Sequence, residues 1–207
     1  MALSNISFKK AFFGRFTVFF NENIYEPRED SFLLAKALDK KWIRNQKCLD
    51  LGCGSGIQTM QLLENGADFV TAADIDASAL YFTQFNLEEN FSREKINRVT
   101  ILESDLFENL DEKKFDVIAF NPPYVISDSL EEKALDGGKS GREVLDRFLL
   151  QAENLLNENG MVFFLQNDLN GFKETEDLLK RLHFQFEILA RQKLFFEELV
   201  VFRAWKR

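Results

Sequence analysis

The residues best placed to do chemistry are Asn121-Pro122-Pro123-Tyr124, directly after the apolar run Phe115–Phe120. Two of the three prolines in the chain fall here. Proline fixes φ, lacks an N–H and pushes the preceding residue into extended geometry. The Asn121 amide and the carbonyls beside it are thereby held at a strand end, where open α/β sheets bind ligands. Asn121 Oδ1 and the Pro122 carbonyl can each accept one N–H of a substrate NH2 group. Pro123 stiffens the turn, and Tyr124 can pack on the flat face of a planar acceptor. The motif reads as a clamp for an NH2 group about to be methylated.

A methyl donor needs a second site. Asp50-Leu51-Gly52-Cys53-Gly54-Ser55-Gly56 follows an apolar strand and opens a helix, and its glycines permit tight turning and close approach to a ligand. A dinucleotide loop would read G-x-G-x-x-G, whereas these glycines stand at 52, 54 and 56 with Ile57 next. Asp50 at the loop entrance opposes a pyrophosphate and suits a ligand carrying an ammonium and a sulfonium, as S-adenosyl-L-methionine does. Asp74 ends the next strand and is placed to bind both ribose hydroxyls. Asp105, in Glu103-Ser104-Asp105-Leu106, can accept from the exocyclic amine of an adenine. Any one of these alone reads better as a solvated loop aspartate. Three of them ending three successive strands, beside a glycine loop, make a donor site.

These groups have to be held by alternating elements. Strands are expected at 47–51, 69–73, 98–102, 115–120 and 161–165, with helices at 58–64, 77–90, 143–156 and 172–182. Two further strands, 184–189 and 194–202, close the chain without a helix between them. The order predicts an α/β fold, a Rossmann-like doubly wound sheet of seven strands, mostly parallel with an antiparallel C-terminal strand. The 98–102 strand is expected at a sheet edge. Ahead of the core, 16–20 has strand composition and 24–25 reads as a second short extended piece. Residues 1–28 form a short N-terminal β extension, 29–207 the catalytic core, and 1–207 one domain. Asp30 or Ser31 is placed to cap the helix that follows. The phenylalanines at 12, 13, 16, 19 and 20 read either as a hairpin lid over the cofactor or as core packing.

Composition narrows the partners. In 207 residues, 45% are hydrophobic and 29% charged, with a net charge of −8. The negative charge argues against non-specific binding of phosphate backbones, so a nucleic-acid partner is the weaker expectation. Cys48 and Cys53 read as small apolar residues in a reducing compartment. The apolar stretch 11–20 is interrupted by Gly14 and Arg15 and is far short of a membrane span, so a cytoplasmic protein with no membrane partner is expected. No Ser/His/Asp arrangement or metal-ligand spacing occurs, and His183, the one histidine, lies outside every motif and reads as structural.

The segments DLGCGSG, ADIDASAL, ESDLF and NPPYV, in that order, resemble class I methyltransferases of the HemK type, the protein-glutamine N5-methyltransferases that modify the GGQ loop of translation release factors. Tyr25-Glu-Pro-Arg-Glu-Asp-Ser-Phe-Leu-Leu34 resembles the YEPAEDTFLL segment of the short eukaryotic and archaeal branch, and Gly137-Gly-Lys-Ser-Gly-Arg-Glu143 its GGxxGRE loop. The resemblance spans residue 23 to the C-terminus. It implies cofactor contacts at Ser31, Asp50, Gly52, Asp74, Asp105, Leu106 and Asn121, with Gly54 in the same loop. It implies a protein substrate, a release factor among them, and a small zinc-binding activator protein pairing with the sheet edge. The N-terminal recognition domain of bacterial members has no counterpart here, and Leu135-Asp136 stands where eukaryotic members carry Ala-Trp.

Other acceptors fit the same clamp. The exocyclic amine of adenine in DNA or RNA is one, but loop 126–136 carries Asp128, Glu131, Glu132 and Asp136 against Lys133 and offers no basic groove. A lysine ε-amine is another, although it must first lose a proton. A cofactor-binding scaffold without activity is the non-enzyme reading, and the intact clamp argues against it.

Overall fold

A computed structural model describes residues 8–110, 114–126 and 135–206. Its strands are β1 (Lys9–Phe13), β2 (Phe16–Phe20), β3 (Lys47–Leu51), β4 (Phe69–Asp74), β5 (Val99–Glu103), β6 (Phe115–Phe120), β7 (Leu156–Asn167), β8 (Gln185–Lys193) and β9 (Glu198–Trp205). The helices are α1 (Glu29–Ala37), α2 (Lys40–Ile43), α3 (Ile57–Glu64), α4 (Ala77–Asn90), α5 (Arg93–Ile96), α6 (Glu143–Ala152) and α7 (Phe172–Arg181).

Seven strands form one sheet in the order β5-β4-β3-β6-β7-β9-β8, and β9 alone runs antiparallel to its neighbours. The expected class and the edge position of β5 are both found. The central strands are buried on two sides, which is why β3 and β6 read as near-continuous apolar runs. Alternation along β6 sorts the core. Ile118 and Phe120 face α6 and α7 with Leu49, Phe148, Phe164 and Phe202, while Val117 and Ala119 face α1 with Leu34, Leu38 and Phe163.

Other expectations need correction. Residues 24–25 form no strand, and α6 stops at Ala152, yielding to a 3-10 turn at Glu153–Leu155. β7 begins five residues earlier than its apolar centre suggests, because Leu156 pairs with Phe115 across a register shift. Neither Asp30 nor Ser31 caps α1. Both lie inside its first turn, after Arg28, and are buried. His183 follows α7 with φ 61°, the left-handed geometry that ends a helix.

Phe16, Val18 and Phe20 of the β1–β2 hairpin are core packing, Phe12 is exposed, and no described residue of the hairpin lines the cavity at the strand ends. Phe16 and Val18 bury against Ile57, Met60 and Leu63 of α3 and Leu87 of α4. Two asparagines of α4 imitate a neighbouring strand. Asn90 accepts from Thr17 N at 3.0 Å and donates to Thr17 O at 2.9 Å, while Asn86 accepts from Phe19 N at 2.7 Å and donates to Phe19 O at 2.8 Å. The free edge of β2 is thereby satisfied without a third strand. No described helix is long and apolar enough to cross a membrane.

Gly56 is among the glycines the fold requires. Gly56 opens α3 with φ 78°, and a Cβ there would stand 3.0 Å from Thr83 Cα. Gly56→Ala combines left-handed strain with a backbone clash and should lower the unfolding free energy by roughly 2–4 kcal/mol in urea denaturation.

Candidate active site

Sheet register brings donor and acceptor motifs together. Leu51 of β3 pairs with Phe120 of the parallel strand β6 and with Ala73 of β4. The residues that follow, Gly52, Asn121 and Asp74, therefore emerge side by side at the carboxyl ends of three adjacent strands. Chain order reverses between β3 and β6, so this is the topological switch point of the sheet, the usual ligand crevice.

A cavity of about 290 Å³ opens there. Ser31, Gly52, Gly54, Asp74, Asp105, Leu106, Asn121, Pro122, Pro123 and Tyr124 all line it. Asp50 does not. It is fully buried, and its Oδ2 accepts from Thr59 N at 2.8 Å and Thr59 Oγ1 at 2.5 Å. Asp50 thereby braces β3 against α3, with one backbone and one hydroxyl donor of Thr59 meeting its buried carboxylate.

Burial pushes the Asp50 carboxyl up to about 7, against the lowering effect of Thr59 and with the nearby Asp74 charge adding to the rise. The folded state thus holds this proton more tightly than the unfolded chain, whose value is near 3.8. The stabilising contribution is complete below about pH 4 and is lost as pH rises to about 7. Asp50→Asn removes that loss, so its Tm should gain on the wild type between pH 5 and 7 and stay level above. Thermal melts across that range check it.

Asp74 holds the loop as well as facing the cavity. Oδ2 accepts from Gly54 N at 2.9 Å and Oδ1 from Asp76 N at 3.0 Å, leaving lone pairs for a ligand diol. Burial raises its pKa. Gly52 and Gly54 both have positive φ, and a Cβ at Gly54 would meet nothing within 4 Å, so the loop leaves room beside it. Asp105 is paired with Arg147 at 3.3 Å, a cavity-lining cation on α6 that the sequence did not point to. Leu106 adopts φ 45°, unusual for its type, with its carbonyl accepting from Ser104 Oγ at 2.8 Å.

On the acceptor side, Asn121 Oδ1 is buried with no partner among the described residues. Its Nδ2 donates to Asp30 Oδ2 at 3.1 Å, and that oxygen also accepts from Tyr25 Oη at 2.9 Å and Tyr124 Oη at 3.3 Å. The other carboxylate oxygen, Oδ1, accepts from Ser31 N at 2.6 Å and Ser31 Oγ at 3.2 Å. Both tyrosine hydroxyls are pushed to higher pKa, chiefly by burial and then by the Asp30 charge. Asp30 and Tyr25 escaped the sequence reading as site residues, since locally they offer only a helix cap and a turn aromatic.

The clamp is braced from outside. Asn170 Nδ2 donates to the Tyr124 carbonyl at 2.9 Å, and Val125 pairs with Asp136 where the loop returns. Gly141 passes so close that an added Cβ would meet that carbonyl at 2.7 Å. Arg142 then ties this loop to the start of α7 through Asn170 O, Gly171 O and Thr175 Oγ1. Asp128, Glu131, Glu132 and Lys133 lie outside the described residues.

A switch-point cavity with donor-type groups on β3–β5 and an amide clamp on β6 defines the Rossmann-like methyltransferases. The chain belongs to the methyltransferase small domain family, whose model matches residues 18–196. A relative from Methanocaldococcus jannaschii, provisionally named as a protein N5-glutamine methyltransferase, is 44% identical over 88% of this chain and 92% of its own. The human methyltransferase HEMK2 is 33% identical over 76% and 78%, and the release factor glutamine methyltransferase of Rhodopirellula baltica 31% over 84% and 68%. Among solved structures, the E. cuniculi Mtq2-Trm112 complex, which methylates the termination factor eRF1, superposes with a TM-score of 0.72 at 27% identity, over 89% of this chain and 99% of that one.

Proposed function

We propose that this enzyme moves a methyl group from S-adenosyl-L-methionine to the side-chain amide nitrogen of a glutamine in a protein, a translation release factor being the first candidate. The reading is carried by Asn121 Oδ1, a buried acceptor without a partner among the described residues, at a proline-locked strand end. The names of the relatives support the choice of acceptor.

The donor, when bound, supplies an electrophilic methyl on a sulfonium. Gly52 and Gly54 let the backbone approach it, Asp74 accepts from the ribose hydroxyls, and Asp105 beside Leu106 meets the adenine. Ser31 lines the cavity from the first turn of α1, and Asp50 fixes the loop from behind. On the acceptor side, an amide nitrogen is a poor nucleophile because its lone pair is delocalised. Asn121 Oδ1 and the Pro122 carbonyl each take one N–H, favouring pyramidal nitrogen and aiming its lone pair across the cavity. Pro123 keeps that carbonyl in place, and Tyr124 packs on the amide plane. The nitrogen would gain a C–N bond as the methyl–sulfur bond breaks, the sulfur leaving as a neutral thioether, and its surplus proton would pass to solvent water. Orientation of this kind is worth up to about 7–11 kcal/mol.

Incubation with labelled S-adenosylmethionine and either a GGQ-bearing release factor or an oligonucleotide, followed by mass spectrometry, tests the reading. Label on the glutamine supports it, and label on a base or a lysine replaces it.

The same reading includes a small activator protein. The supporting features are the single-sided pairing of β5, which leaves one edge of the sheet open, and the solution of the similar E. cuniculi protein as a complex. Its zinc site and a cytoplasmic setting belong to this proposal. Co-purification from the native host tests the partner.

A further inference from the structure

Asp30 belongs to no expected set of contacts, yet it is the most heavily bonded side chain beside the clamp. It is 2% exposed and receives five hydrogen bonds, three of them at Oδ2 from Asn121, Tyr25 and Tyr124. An ionised carboxylate only accepts. An asparagine amide has a donor end and an acceptor end of nearly equal size, and its own shape does not choose between two orientations half a turn apart. Facing Asp30, the choice is forced. Turning the amide over would set oxygen against oxygen in a buried site and leave the NH2 in the cavity.

We propose that Asp30 is the positioning residue that sets the polarity of the acceptor site: it turns Asn121 so that Oδ1, and never Nδ2, faces the substrate. The inference rests on the reading of Asn121 as the acceptor clamp. It also gives the clamp its selectivity. An oxygen aimed into the cavity welcomes the NH2 of a glutamine and opposes the carboxylate of a glutamate, which brings no proton to share. Oδ1 of Asp30 meanwhile binds the backbone and hydroxyl of Ser31, so the carboxylate is itself held in one orientation by the first turn of α1.

The decisive variant is D30N, which keeps size and shape. Ser31 N can only donate and so requires an oxygen at the Oδ1 position, whereas the hydroxyls of Tyr25 and Tyr124 can rotate to accept, so the introduced amide turns its NH2 toward Asn121. Asn121 then answers with its own oxygen and presents NH2 to the cavity. D30N is therefore expected to lower kcat/KM for a glutamine-bearing release factor by about a hundredfold or more, with the Kd for S-adenosylmethionine changed less than about threefold. D30A leaves Asn121 free to adopt either orientation and should fall less, although it removes more atoms. A purely structural role predicts the reverse order. The reciprocal swap D30N/N121D restores one donor facing one carboxylate, with a second carboxylate oxygen left toward the cavity. It should recover at least about tenfold over either single variant.

A measurement on the full chain decides the point without any acceptor. The side-chain NH2 of Asn121, assigned by its absence in N121D, should be shielded from exchange with solvent in the wild type and exchange rapidly in D30N. Unchanged exchange, or a double swap no better than the poorer single variant, overturns the proposal. If the wild type transfers no methyl to glutamine, the substrate reading fails, and the exchange experiment still decides the role of Asp30.

Discussion

Asn121→Ala should reduce turnover by about a hundred- to a thousandfold while weakening S-adenosylmethionine binding only modestly. The expected size follows from what the side chain does alone. It supplies a buried acceptor already aimed and already desolvated, since Oδ1 has no partner among the described residues and Nδ2 is anchored on Asp30. Removing a preorganised polar group from a water-poor site typically costs two to three orders of magnitude in rate, about 2.7–4 kcal/mol. The backbone carbonyl of Pro122 remains in the variant, so the acceptor amide keeps one of its two anchors and binding outlasts catalysis. Single-turnover kinetics beside calorimetry of donor binding separate the two. Wild-type turnover would remove Asn121 from the mechanism.

Asp74→Ala is expected to act on the other half of the reaction. It should raise the donor Kd by about a hundredfold and leave kcat close to normal at saturating donor. Two losses combine. The ribose hydroxyls lose a charged acceptor, worth roughly 1.5–3 kcal/mol. The glycine loop loses the tether from Gly54 N at 2.9 Å that holds it against the end of β4. Asp74→Asn keeps an oxygen for one of those roles and should fall between. Unchanged affinity by calorimetry would defeat the assignment.

The contrast between Asp50 and Asp74 shows what was legible in advance. Both are carboxylates at ends of adjacent parallel strands, and both read from spacing as ligand contacts. Asp74 points into the cavity and Asp50 turns back to Thr59. Nothing in the local sequence separates them, because the difference lies in which face of the strand end α3 covers. The lid reading of the N-terminal phenylalanines failed to be resolved for the same reason. The hairpin is seated by Asn86 and Asn90, which bond the backbone of β2 from 67 and 73 residues away, while Phe12 stays exposed.

What the sequence determined by itself was local or periodic. Apolar runs of strand length, proline at 122 and 123, and glycines at 52, 54 and 56 restrict the backbone wherever they occur, so the strand-loop-helix units and the class of sheet could be read directly. Tertiary structure decided which polar atoms meet. Asp30 and Asn121 are 91 residues apart, and their 3.1 Å contact exists only because α1, packed on α3 and on β7–β9, brings its first turn beside the end of β6. A hydrogen bond is made or lost within a few tenths of an ångström, and that precision comes from sheet register and helix packing, to which every part of the chain contributes.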